Sequence, residues 1–310
     1  MSAPTIVGAG LAGLIAAHAW PNAPIFEAAP RPEAMHKALL RFRSEAVSRL
    51  TGIEFRRVTV RKGLWADEQF QPTNIRWANL YAQKVIGALV GDRSIWSLDA
   101  VERFIAPPDL YEQLLDSVDR RIQWGAAADF LAASPTNPFI STAPLPLALA
   151  GVGIDPGVKF PRAAITVKRW VVRGADAFQT VYFPEEHLSL YRASITGNIL
   201  IAESTLNADD GDSFSDESVR ALERAFGLRL VDCDSLGSTT QRYGKIAPIS
   251  DSLRKHFLFR LTHERGIYSL GRFATWRNIL LDDVVDDIAA VKRLMRSGGA
   301  AYDLHRSVAQ

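Results

Sequence analysis

Residues 4–27 spell a strand, a glycine turn, a helix and a second strand, and no other feature constrains the fold as much. Residues 4–8 are a short apolar run, Gly8, Gly10 and Gly13 stand in the GAGLAG turn, and residues 14–20 carry a compact helical pattern ended by Pro21 and Asn22. Residues 24–27 read as the second strand. Gly8 permits the tight turn, Gly10 lets a phosphate approach the backbone, and Gly13 lets the helix lie close on the strand, with the helix N-terminus facing the anion. Glu27 stands 19 residues after Gly8, where a carboxylate accepts hydrogen bonds from ribose hydroxyls. Together these residues point to dinucleotide binding at Gly8, Gly10, Gly13 and Glu27, against the alternative of a fortuitous glycine-rich turn.

The 310 residues suffice for two domains of about 150 residues. Hydrophobic residues at 47% and charged residues at 23% exclude a disordered or fibrous chain. The single cysteine, Cys233, excludes an intrachain disulfide and points to a reducing compartment. No run reaches the roughly 18 apolar residues of a membrane span. The apolar N-terminal stretch lacks a basic leader, so a cytoplasmic protein without a secretory signal is expected. The six histidines never fall at metal-ligand spacing, and no GxxxxGK[ST] or GxSxG motif occurs, so no metal site is expected. Only eight of the 36 basic residues are lysine; arginine's planar fork suits phosphates and carboxylates, although a GC-rich genome produces the same bias.

Residues 31–62 hold nine Arg or Lys against three Glu, a net +6 that reads either as a solvated face or as a footprint for an anion. Helical spacing follows within residues 74–96, then strand, Pro-Pro turn and helix over 103–115, a short strand at 122–124 and another at 139–142. Between 163 and 203, Ile165, Val167, Trp170, Val181, Phe183, Leu190, Ile199 and Ile201 suggest antiparallel strands broken at Gly174, Pro184 and Gly197. A helix at 218–226, a strand at 266–270 and a closing helix at 281–295 complete the pattern. The fold class expected is α/β, with a Rossmann-type nucleotide domain assembled from residues 1–73, 99–150 and 264–296. A second, mainly antiparallel-sheet domain for substrate takes 74–98 and 151–263, leaving 297–310 as a tail.

The strand at 268–270, followed by Gly271, Arg272, Phe273, Ala274, Thr275 and Trp276 and a helix opening near Asp282, resembles flavoproteins of the glutathione-reductase and amine-oxidase type. The segment FISTAP (139–144) is similar to that family's strand-to-loop crossing before the substrate domain, and RFIAPPDLYEQLL (103–115) resembles the strand and helix preceding it. The resemblance covers both ends and the middle of the chain. It implies FAD as the cofactor, with Gly271, Arg272, Thr275 and Trp276 along it; a core position is the alternative for Trp276. The family's glycine run after the ribose-binding acid is missing, so contact there falls to side chains. Arg41 and Arg43, two apart in an extended segment, share a face and can clamp one anion, or stand as surface arginines.

Within that class, HKALLRFRS (36–44), NLYAQKVIG (79–87), RSIW (93–96) and YSLGRFATW (268–276) together resemble small flavoproteins of phages that hypermodify thymine in their DNA. That resemblance implies a flavin-dependent lyase acting in the host cytoplasm on an amino acid appended to a thymine methylene, with modified thymine in DNA as partner. The flavin oxidises the amino acid's α-carbon, and water cleaves the product to an oxo acid and an aminomethyl base. Candidate substrate residues are Tyr191 and Arg192, with Asn79 and Lys84 of the NLYAQKVIG segment; for Arg192 a cross-strand surface pair is the alternative. Candidate catalytic residues are His36 as a general base near neutral pH, Lys245 holding a water at the flavin, and Tyr243 reaching its face. A structural histidine and a solvated turn are the alternatives for these positions. The late Gly-Arg motif and the Tyr191–Arg192 pair also resemble UDP-galactopyranose mutase, a flavin isomerase. A small-molecule amine oxidase and a non-catalytic module with structural FAD are further alternatives. No membrane or obligate protein partner is expected, and no known DNA-binding motif stands in the sequence.

Overall fold

The computed structural model describes residues 3–32, 40–89, 95–205 and 214–296, apart from the side chains of residues 242 and 243. The chain divides into two compact units, one of Met1–Arg56, Phe104–Phe160 and Pro248–Gln310, the other of Arg57–Arg103 and Pro161–Ala247.

In the first unit, β1 (Thr5–Val7), β2 (Ile25–Glu27), β7 (Ile122–Trp124), β8 (Phe139–Ser141) and β14 (Ile267–Ser269) form a parallel sheet in the order β14-β8-β1-β2-β7. Ile6 lies opposite both Ile25 and Ile140, and all three are fully buried, as expected of short strands covered on both faces. The helix α1 (Leu11–Ala19) is apolar almost all round because it packs against α4 (Leu110–Val118), α9 (Leu281–Arg296) and α2 (Ala46–Thr51). Its last carbonyls are closed by Arg121, which donates to the oxygens of Ala17, Trp20 and Ala23 at 3.0–3.2 Å. The short strand β3 (Arg41–Phe42) pairs with the end of β6 (Val101–Ile105), Phe42 opposite Phe104. Helix α7 (Asp251–Arg265) packs on β14, and α5 (Leu145–Gly151) on α8 (Arg272–Thr275).

The second unit is built on a sheet ordered β13 (Asp234–Ile246), β9 (Arg162–Val171), β12 (Ile199–Thr205), β11 (Leu190–Gly197), β10 (Ala177–Tyr182) and β4 (Arg56–Ala66). All pairs are antiparallel except β10 with β4, and β5 (Gln69–Phe70) folds back on β4. Helix α6 (Asp216–Phe226), capped by Ser215 and ended at Gly227, brings Leu222 onto Trp65, Trp170, Val181 and Leu200. Helix α3 (Ile75–Ile86), capped by Asn74, sets Trp77, Tyr81 and Val85 against Leu64, Ile165, Val167 and Tyr191.

The boundaries differ from those read in the sequence. Residues 57–73 belong to the second unit because β4 pairs with β10, and residues 248–263 to the first because α7 packs on β14. Residues 99–103 also fall in the second unit, and 151–160 in the first. The stretch holding Tyr243 and Lys245 is a long strand rather than a turn. Among the described residues no helix is long and apolar enough to cross a membrane, and no group of His, Cys, Asp or Glu could hold a metal ion.

The crossing of α1 over β1 requires bare backbone. Gly8 has φ +102°, and a Cβ on Gly13 would stand 1.9 Å from the Gly8 carbonyl oxygen. A Cβ on Gly10 would meet nothing within 4 Å. Gly13→Ala is therefore expected to destabilise the chain by about 2–3 kcal/mol in chemical denaturation, and Gly10→Ala by less than about 1 kcal/mol. Equal midpoints for the two variants would remove this account of the crossing.

Candidate functional site

A cavity of about 570 Å³ opens in the first unit, within the size range of small-molecule sites. Its walls are Gly10–Ala12, Arg41 and Phe42 of β3, Tyr111 of α4, Thr142, Arg272 and Phe273 of α8, and Leu281, Asp282 and Val284 of α9. The N-termini of α1 and α9 thus both meet this space, and they differ in charge. The first turn of α1 carries no acid and its cap is Gly10, so its exposed N–H groups suit an anion. That of α9 carries Asp282 and Asp283. The buried Asp282 carboxylate accepts the N–H groups of Arg43 and Ser44, each at 3.0 Å, and the Ser44 hydroxyl at 3.1 Å, fastening the chain after β3 to α9. Gly271, at φ +88°, brings the α8 turn against α1; a Cβ there would stand 2.9 Å from the Cβ of Ala12. Tyr111 donates to the Ala9 carbonyl at 3.3 Å, and burial, reinforced by Glu27, raises its phenol above the ordinary range.

The residues singled out for a cofactor fall into two groups. Gly8, Gly10 and Gly13 form the turn at the cavity's edge, and Glu27 ends β2, accepting the N–H groups of Ala9 at 2.8 Å and Ala29 at 2.9 Å. Arg41 and Arg272 line the cavity, with Gly271 behind the wall. Arg43 does not line it: β3 ends at Phe42, the alternation stops, and the guanidinium turns to Asp283 at 2.5 Å and Asp282 at 3.9 Å. The expected two-arginine clamp is therefore Arg41 without Arg43. Thr275 and Trp276 are also outside the lining. The Thr275 hydroxyl donates to the Gly271 carbonyl at 2.8 Å, and Trp276, 2% exposed, packs edge-on to Phe160 at 4.9 Å. His36 lies outside the described residues. Sequence reading did not assign Tyr111, Thr142 or Asp282 to the site; Thr142 directly follows β8, and Tyr111 and Asp282 stand in the first turns of α4 and α9, which was their only signal.

In the second unit, Tyr191 is fully buried under α3 and Arg192 is bound by its cross-strand neighbour Glu203, so neither is an open substrate group as expected. Burial alone would raise the Glu203 carboxyl, but the charges of Arg192 and Lys245 outweigh it and hold the group below its ordinary range. Lys245, 7% exposed, lies 4.4 Å from the Tyr191 ring centre on β13, a core position instead of the expected water-holding turn. Tyr243 shares that strand, and its side chain lies outside the described residues. Asn79 is half-buried on α3 and makes no side-chain hydrogen bond among the described residues. Lys84 is structural: its ammonium donates to the carbonyls of Phe183, Glu185 and Leu190 at 2.7–2.8 Å, consuming all three donors. The basic run of 31–62 is not one face. Arg31 pairs with Asp119, Arg57 with Glu102, and Arg43 with the α9 acids.

Among solved structures, the chain shares its fold with a reduced UDP-galactopyranose mutase at 14% identity and TM-score 0.69, over 97% of this chain and 96% of that one. It is similar to a CLA-producing fatty acid isomerase from P. acnes at 13% identity and TM-score 0.60, over 94% and 98%. It is also similar to aklavinone-11 hydroxylase, in ternary complex with FAD and aklavinone, at 13% identity and TM-score 0.52, over 97% and 62%. No family model matches the chain, and no curated protein matches its sequence. The fold is α/β, with a parallel sheet in one unit and a mixed sheet in the other, and is shared with these structures.

Two variants test the buried polar groups. Asp282→Ala is expected to cost about 2–4 kcal/mol, since three donors lose a charged acceptor, and wild-type stability would argue that β3 is held otherwise. Burial draws the Lys84 amine from 10.5 to about 7, against the pull of Glu185 and Glu186. Between these values the unfolded chain binds a proton that the folded chain does not, so stability rises with pH across that window. Denaturation midpoints from pH 7 to about 10 should rise in wild type relative to Lys84→Met; parallel curves would exclude Lys84 as the cause.

Proposed function

We propose that the chain is an FAD-dependent oxidoreductase that cleaves a C–N bond of an amino-acid-modified thymine in DNA, leaving an aminomethyl group. The observation that carries the cofactor is the cavity of the first unit. Bare backbone at Gly10 and the N-terminus of α1 suit a diphosphate, Glu27 at the end of β2 retains lone pairs for ribose hydroxyls, and the wall is largely apolar, as a ring system needs. When bound, FAD supplies two-electron oxidation of the carbon beside the amine nitrogen.

The chain's own residues then have modest tasks. Gly10 and the N-terminal N–H groups of α1 hold the diphosphate, and Arg41 and Arg272 add positive charge to the same cavity. Asp282 keeps the segment after β3 fixed to α9. No protein nucleophile is needed: the oxidised carbon takes up water, the C–N bond breaks, and the products are an oxo acid and an amine, with two electrons left for an acceptor such as oxygen. The thymine substrate is supported by the likeness of residues 36–44, 79–87, 93–96 and 268–276 to the phage lyases. It implies action in the cytoplasm of an infected host.

A second reading, a flavin isomerase of UDP-galactopyranose type, draws on the TM-score of 0.69 over nearly the whole of both chains. The two differ in net redox change. The purified protein is expected to show flavin absorption that bleaches anaerobically with DNA containing glycine-modified thymine, with release of the oxo acid. A flavin that ignores this DNA while the reduced protein isomerises UDP-galactose would select the second reading. A colourless protein that FAD cannot reconstitute would overturn both. Gly10→Leu, which puts a side chain where the cavity meets α1, should lower FAD affinity at least about ten-fold without unfolding the chain; wild-type affinity would move the diphosphate elsewhere.

A further inference from the structure

One face of the second unit's sheet carries a row that the reading above leaves unused. Lys62 on β4 lies opposite Thr180 on β10, Thr180 opposite Ser194 on β11, Ser194 opposite Ile201 on β12, and Ile201 opposite Arg169 on β9. Paired positions on neighbouring strands present side chains to the same face, so the five form a line across five strands. At about 4.8 Å per strand, the line is about 19 Å long. It has a cation at each end, the half-buried Ser194 at its centre, the buried Thr180 beside Lys62 and the apolar Ile201 beside Arg169. Tyr182, Arg192 and Glu203 form the next row on the same face, also in register.

The two rows differ in charge balance. Arg192 is answered by Glu203. Lys62 and Ser194 make no side-chain hydrogen bond among the described residues, and neither Lys62 nor Arg169 forms an ion pair there. Arg169 gives one N–H to the neutral Thr239 hydroxyl at 3.2 Å. Asp99 approaches Lys62, but so does Arg103; burial, with Arg103 next, draws the Lys62 amine down, and burial does the same to the Arg169 guanidinium. Partly buried cations without a bonded carboxylate are costly unless an anion completes them.

We propose that this row is a floor for the phosphates of a nucleotide substrate, with Lys62, Ser194 and Arg169 as its contacts. The inference deepens the thymine-DNA reading and rests on it for the identity of the strand. Geometry favours a strand over a compact diphosphate: cations about 19 Å apart can meet separate phosphates along one strand, whereas one diphosphate reaches only one end. Phosphates of a UDP-sugar would share the chemistry, and the experiment separates the two.

Fluorescence anisotropy of a labelled single-stranded DNA oligonucleotide, at several salt concentrations, is measured for the FAD-loaded wild type, Lys62→Gln, Arg169→Gln and Arg169→Lys, with UDP titrated in parallel. Flavin absorption and circular dichroism report folding, and Arg169→Lys retains the charge if the glutamine variant unfolds. Each neutral variant is expected to weaken DNA binding about five- to ten-fold and to flatten the salt slope by about 0.7–1, with Arg169→Lys close to wild type. Loss of UDP binding in the variants, with DNA binding unchanged or absent throughout, keeps the row as a phosphate site and overturns the DNA reading. Affinities and salt slopes unchanged for both probes overturn the row itself.

Discussion

The close approach of two stretches of backbone, the Gly8 carbonyl and the α-carbon of Gly13, underlies the first unit. Because no side chain intervenes, α1 descends directly onto β1, and its unpaired N–H groups meet the cavity instead of covering it. The same proximity leaves Leu14, Ile15, Ala16 and Ala17 wholly buried, so the helix that presents the anion site is also the centre of the first core. A cofactor held there is held by the most deeply packed element of its unit.

Around that helix, charge is arranged by subtraction. Arg43, which looks available in the sequence, is consumed by Asp282 and Asp283, and Arg121 is spent on the carbonyls that end α1. Arg41, Arg272 and the end of α1 line the cavity, and Arg43 and Arg121 do not. In the second unit the tension is similar: Glu203 serves Arg192 and draws on Lys245, while the ends of the neighbouring row have no bonded carboxylate among the described residues. Arginine count alone says little about where an anion binds; what matters is which arginines the fold has already neutralised.

Much of this was legible in order. The β1–α1–β2 turn, the acid at its end, β8, β14 and α9 followed from apolar runs and glycines, because parallel strands buried on both faces write an unbroken signal. The second sheet was partly legible from β-branched and aromatic alternation in β9–β12. β4 was hidden within the basic run, where Arg56, Arg57, Arg61 and Lys62 mask a strand whose inward residues are Val60 and Leu64. β13 was hidden because it is the sheet edge, and edges are polar by necessity. At the site, glycines and Glu27 announce themselves through backbone need. Arg43 and Lys84 could not, since their partners lie far away in sequence; Arg192 is answered from the neighbouring strand, the cross-strand pair that the sequence already offered as its alternative, and the burial of Tyr191 shows only in the tertiary structure.

The alternation of segments between the units has a consequence for how the protein is made. Arg272, Phe273, Leu281, Asp282 and Val284 all come from the final segment, after the entire sheet of the second unit. A ribosome therefore completes β13 before the last wall of the cavity exists, and the early β1–α1–β2 piece, though joined by α2, α4 and β8, must wait for β14 and α9 to complete its core. The cavity is thus complete only once residues 272–284 are in place, and a product truncated before residue 272 lacks that wall.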